Sequence, residues 1–332
     1  MTELNLRIHG AAVRIRAEAP EVLAQLARDF EYFLAAEAAG DGFRLRLSSR
    51  APRRSRAGWT MPVLVTRDYT VFESQEARTV RYRDGAEAVF APGRNELSIY
   101  CALPGRLHEL AYLGILSKVG EAMDLRGLHR IHALGFEWAG QGGLVLLPSG
   151  GGKSTLALEL LRATSAGILS DDTPVLTQDG RMLAFPLRWG FRLGQDLGEV
   201  PARHIRPFLR RRHGAKQLVD VGFFRERIRS EVPVRWIFVG RKGASPRVSP
   251  RGQASAWWPL AWNLVLGYGI AQMAEYMFGW GWQDASRLAR IARSRWRAAD
   301  RVRSAASVHS FTLGPDAGAS AAALAAYLKE RI

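Results

Sequence analysis

A chain of 332 residues with 47% hydrophobic content is long enough for two domains, or one with a sizeable extension, and too apolar to be disordered throughout. Its single cysteine, Cys101, excludes an internal disulfide, and the absence of an apolar signal region at residues 1–7 points to a cytoplasmic protein. The net charge of +16 is almost wholly arginine, since only five of the 47 basic residues are lysines; with no recognised nucleic-acid module beside it, no specific nucleic-acid partner is expected.

Leu4, Leu6 and Ile8, then Val13 and Ile15, alternate with polar residues around Gly10 and predict two strands and a turn. Pro20 opens a helix whose Leu23, Leu26, Phe30 and Phe33 fall at helical spacing. Phe43, Leu45 and Leu47 predict another strand, and residues 50–56, with four arginines and Pro52, read as a solvated loop or linker. Short strands near 63–65, 70–72, 80–82, 88–90 and 97–100 complete an α+β domain over residues 1–104, which carries no assignable chemistry and is a candidate for partner binding. Pro104 then starts a helix with Leu107, Leu110, Leu113 and Leu116 about every three residues, expected to connect two domains over 105–127.

A nucleotide-binding core is expected over 128–250. Residues 142–147 form an apolar run of strand length that enters Pro148-Ser149-Gly150-Gly151-Gly152-Lys153-Ser154-Thr155 and then the helix-forming Leu156-Ala157-Leu158-Glu159. Strand, glycine loop and helix in that order are the context of a phosphate-binding loop. The glycines let backbone N–H groups curl round an anion, and the helix adds the positive end of its dipole. Ser149 to Thr155 are the nucleotide-binding candidates, with Lys153 reaching the outer phosphates and Ser154 on Mg²⁺. The general pattern has glycine six residues before the lysine, where this chain has Leu147. Before the loop, the segment 127–138 places His132 at the entrance of the site. After it, apolar residues 167–169 lead to Asp171-Asp172, eighteen and nineteen residues past Lys153, the length of one helix and a return strand. Carboxylates there suit Mg²⁺.

Residues 200–216 carry Arg203, His204, Arg206, Arg210, Arg211, Arg212 and His213, a solvated face or a basic lid for an acidic substrate; Arg188 and Arg192 are further candidates for phosphate contact. Residues 232–239 predict a strand. The stretch 257–282 holds five tryptophans and one charge, Glu275; its length allows a membrane span, but Pro259, Asn263 and Gln272 favour a buried or interfacial helix, with peripheral membrane contact the lesser alternative. An arginine-studded helix over 285–303, a strand at 308–313 and an alanine-rich helix complete a mainly helical extension, 251–332, packed on the core.

Three of these features together resemble the HPr kinase/phosphorylase superfamily, which includes the ATP-type phosphoenolpyruvate carboxykinases. They are Ser149-Gly150-Gly151-Gly152-Lys153-Ser154, His132 ahead of it, and Ser170-Asp171-Asp172, similar to that family's Ala-Asp-Asp. The resemblance spans about residues 128–175. It implies an α/β P-loop core of the HPr kinase/PEP carboxykinase type, with ATP and Mg²⁺ as cofactors. Asp171 is implied as the base, His132 as an accessory catalytic residue, and Asp172 with Ser154 as metal groups. The downstream glycine-rich signature of true HPr kinases, with its Glu and Arg, is absent, and the amino-terminal domain differs from theirs. The chain resembles instead the HPr-kinase-related proteins found beside peptide-modification gene clusters, some of which phosphorylate a serine of a precursor peptide.

The leading expectation is therefore an ATP- and Mg²⁺-dependent serine kinase acting on a peptide or protein, with a precursor peptide encoded nearby as the candidate partner and a homo-oligomer as a candidate assembly. A small-molecule kinase on the same core and a nucleotide-binding regulatory or scaffold protein remain alternatives.

Overall fold

The computed structural model describes residues 2–37, 40, 42–50, 61–210, 214–273 and 282–331, with the backbone alone for 209, 210 and 282–284. The chain divides into two compact units: residues 1–123 with 271–285, and 124–270 with 286–332.

The first unit is built on an eight-stranded sheet. In chain order the strands are β1 (Thr2–Ile8), β2 (Ala11–Ala17), β3 (Phe43–Ser48), β4 (Pro62–Val65), β5 (Tyr69–Glu73), β6 (Arg78–Tyr82), β7 (Glu87–Ala91) and β8 (Glu96–Tyr100). Their order across the sheet is β1-β2-β3-β8-β7-β6-β5-β4. β1 and β2 form the expected hairpin, and the helix α1 (Pro20–Asp29) is the crossover to β3, which runs parallel to β2. Its apolar stripe, Val22, Leu23 and Leu26, is buried. The helix α2 (Pro104–Asp124) follows β8, and its His108 Nε2 lies 2.7 Å from the buried Asp29 Oδ2.

The second unit carries β9 (Leu128–Arg130), β10 (Leu134–Trp138), β11 (Gln141–Leu146), α3 (Lys153–Ala163), β12 (Gly167–Ser170), β13 (Val175–Thr177) and β14 (Arg181–Leu183). A small antiparallel sheet follows, formed by β15 (Trp189–Arg192), β16 (Ile205–Arg210) and β17 (Gly214–Val219). Then come β18 (Glu231–Lys242), β19 (Arg247–Arg251), α4 (Trp257–Leu260), α5 (Trp282–Ala305), β20 (Ser307–Leu313) and α6 (Ala317–Lys329). The long β18 organises the main sheet: it runs parallel to β11 on one side and β20 on the other, while its first residues pair with β14.

Strands buried on both faces read as continuous apolar runs, as at Leu144–Val145–Leu146 and Trp236–Ile237–Phe238. Successive side chains point to opposite faces. Leu144, Leu146 and Ile237 join a core with Ala298, Ala299 and Val302 of α5. On the other face Phe238 stacks on His309, which meets Tyr327 of α6, and α6 packs on α3.

The region after 250, expected to be mainly helical, thus also supplies β20 to the centre of the sheet. The tryptophan-rich stretch is not one long helix. α4 lasts four residues and continues as a π-helical turn over Ala261–Val265, after which Gly267 and Gly269 take φ of +67° and +84°. Left-handed backbone there ends any helix. Residues 274–281, including Glu275, lie outside the described residues, as do most of the arginine-rich 50–56 loop and Arg211, Arg212 and His213. Among the described residues no helix is long and apolar enough to cross a membrane.

Candidate active site

The site grows from the end of β11. The chain leaves the sheet at Leu146, turns through residues 147–152 and enters α3 at Lys153. Gly151 N–H closes the turn on the Pro148 carbonyl at 2.9 Å. Gly152 caps the helix with φ +98°, a conformation that strains any residue with a side chain, and no side chain caps the helix. The N–H groups of the first turn have no acceptor four residues back, so they face the loop with the positive end of the dipole. An anion fits there.

Two strand ends bring the acidic pair to this loop. β12 ends at Ser170, whose Oγ accepts the Thr173 N–H at 3.0 Å and holds Asp171-Asp172 in a turn. The link between β9 and β10 then runs alongside: Ile131 N–H donates to Pro174 O and Ala133 N–H to Asp172 O, each at 3.0 Å. His132 is thereby set beside Asp172.

The five charged or polar groups converge. Lys153, 5% exposed, donates from Nζ to His132 Nε2 at 2.7 Å and to Leu147 O at 3.2 Å, with Asp172 Oδ1 at 3.3 Å. His132 Nε2 is also 3.1 Å from Asp172 Oδ1. A single ring nitrogen cannot accept from the lysine and donate to the carboxylate at once, so the two contacts are alternatives set by the tautomer. Ser154 Oγ donates to Asp171 Oδ2 at 2.5 Å. Thr155, the outermost of the loop candidates, accepts from Gln195 Nε2 at 3.3 Å.

The aspartates are pushed apart. Burial, and then the charge of Asp172, raise the Asp171 carboxyl to about 7. Asp172 has lost water too, but the His132 hydrogen bond and the Lys153 charge outweigh that and hold it below the usual carboxylate range. Its side chain remains half exposed, so it faces what enters the site.

Hydroxyl and carboxylate oxygens are hard donors that suit Mg²⁺, and a carboxyl kept from ionising by burial and then by its neighbour's charge is what an added cation would relieve. Among the described residues no three His, Cys, Asp or Glu side chains gather into a cage. Magnesium commonly completes its shell with phosphate oxygens and water, so Ser154 and Asp172 fit that role.

Three contributors carry no sequence signal. Asn263 O accepts the His132 N–H at 3.1 Å, and Lys242 Nζ donates to Gly150 O at 3.2 Å from the end of β18. Gly269 lies against the imidazole: a Cβ there would stand 2.2 Å from His132 Nδ1. Other candidates are placed in other work. Arg206 binds the buried Asp220 at 2.8 Å, and the buried Arg188 stacks over Phe208. Arg192 is exposed at the end of β15.

No family model matches the sequence, and no curated protein matches it. A solved structure, the Hpr(Ser) kinase/phosphatase from Coxiella burnetii, is similar at 12% identity over 61% of this chain and 97% of that one, with a TM-score of 0.28.

Proposed function

We propose that the second unit is an ATP-dependent kinase core that transfers the γ-phosphoryl group to a hydroxyl, most simply a serine of a peptide or protein. The carrying observation is the meeting of Lys153 and Ser154, at the uncapped start of α3, with Asp171, Asp172 and His132 from two other segments. In this reading the loop from Ser149 to Thr155 binds the phosphates through backbone N–H groups. Lys153 leaves His132 and Asp172 for the outer phosphates, and His132 Nε2 then holds Asp172 alone. Asp171, pushed toward neutrality, is suited to take the proton of the acceptor hydroxyl, because a base works best with a pKa near the working pH. Asp172, held ionised, is the better cation ligand. Mg²⁺ held by Ser154 and Asp172 would neutralise charge on the phosphate oxygens.

The test is incubation of the full chain with Mg²⁺ and γ-labelled ATP, with and without serine peptides. Lys153→Ala should abolish labelling and weaken ATP binding. Asp171→Asn should lower transfer by roughly 10²- to 10⁴-fold while ATP still binds. Full transfer by Asp171→Asn would exclude it as the base, and ATP binding without transfer to any acceptor would favour a regulatory nucleotide-binding protein.

A further inference from the structure

A cavity of about 280 Å³ opens where β11 and β18 end, walled by Leu147, Pro148, Asn263 and the rings of Trp258, Trp262 and Tyr268. The rings form one continuous surface: Trp258 and Trp262 stack with centroids 5.8 Å apart, and Trp262 meets Tyr268 at 5.0 Å. They stay 72%, 38% and 58% exposed. An exposed aromatic surface of this kind suits recognition of a partner.

Its position says what it recognises. Leu147 O accepts from Lys153 Nζ, Asn263 O accepts from His132, and Gly269, next to Tyr268, packs on the His132 ring. The cavity therefore opens on the reacting side of the site, beside the groups that would meet the γ-phosphate and its acceptor. In a nucleoside triphosphate the base is carried at the opposite end of the phosphate chain from the γ-phosphate. The Asn263 amide donates one N–H to Pro259 O at 2.8 Å. A free small molecule is usually enclosed over most of its surface. Here the rings would cover one side of their occupant, as suits a side chain carried on a longer segment.

We propose that this pocket takes a large apolar side chain, aromatic or leucine-like, next to the accepting serine of a peptide substrate. The proposal rests on the kinase reading for the serine, and on the cavity alone for the apolar neighbour.

The probes are short fluorescent peptides with a single serine flanked by either phenylalanine or alanine. Binding to the full chain is followed by anisotropy, and transfer by γ-labelled ATP. The phenylalanine peptide should bind at least about tenfold more tightly, the equivalent of burying one such side chain. Trp262→Ala and the highly exposed Trp258→Ala should each remove most of that preference, Trp262→Phe should keep it, and ATP affinity should not change. Equal binding of the two peptides, binding of neither, or a preference indifferent to both alanine variants overturns the pocket. A fall in ATP affinity with Trp262→Ala also overturns it, by assigning the rings to the base. If the preference is present and tryptophan-dependent but no label moves, the pocket stands and the kinase reading falls. If label moves without preference, the kinase reading stands and the pocket falls.

Discussion

A polar group buried to 5% exposure needs hydrogen-bonding partners, and Lys153 has three: His132, the Leu147 carbonyl and Asp172. In the proposed reaction these are the groups the amine would leave for the outer phosphates. The pose of His132 depends on Gly269, which admits the ring face because it lacks a Cβ and takes φ +84°. Gly269→Ala should push the imidazole away from Lys153 and Asp172, costing about 1–3 kcal/mol of stability. Transfer should fall further than stability explains, as a denaturant titration beside a kinase assay would show. Lys153, Ser154, Asp171, Asp172 and His132 could be read from the sequence because they sit at loop-and-strand spacings within one segment. Gly269 and Asn263 could not, since an asparagine or a glycine far along the chain is marked as a neighbour only by the fold.

Among the elements, α5 is tied to Asp124, and through it to His129 of β9, by more than apolar contact. Arg295 donates two hydrogen bonds to Asp124, at 3.0 and 2.5 Å, and His129 Nδ1 lies 2.8 Å from the same carboxylate, all nearly buried. Burial alone would raise the Asp124 carboxyl; His129 and Arg295 instead hold it below the usual range. Arg295→Met leaves the carboxylate half-satisfied and should cost roughly 3 kcal/mol, read from the urea midpoint. The double variant with Asp124→Asn should lose less than the sum of the two single changes. On the opposite face His309 bridges β20 and α6, with Nδ1 2.9 Å from Tyr327 Oη and Nε2 2.9 Å from Ser307 Oγ. Burial, then the charge of Arg331, lower its pKa to about 4. The unfolded chain gains a proton below about 6.5, whereas the folded one gains it only near 4, so this group lowers stability as pH falls through that window. Denaturation midpoints of His309→Gln should fall less steeply with acid than those of the parent.

At the scale of the molecule, the net charge of +16 acts on everything at once and specifies nothing. Unrelated DNA duplexes should therefore bind with equal affinity and lose it together as salt rises; a filter or gel assay at two ionic strengths checks this, and a strong preference between duplexes would mean a real nucleic-acid partner. The two compact units are interleaved along the chain, residues 271–285 grouping with the first. The sequence by itself determined the strand–glycine loop–helix, the acidic pair after it and the hairpin at the start, because each is local: a glycine run, a period of two or a period of 3.6. Only the tertiary structure decided that β20 would enter the main sheet beside β18, that the tryptophans would break into a short helix and two left-handed glycines, and that this segment would wall a cavity with Leu147 and Pro148. Those outcomes depend on which apolar surfaces find each other across the fold, and hydrophobic burial has no direction along the chain.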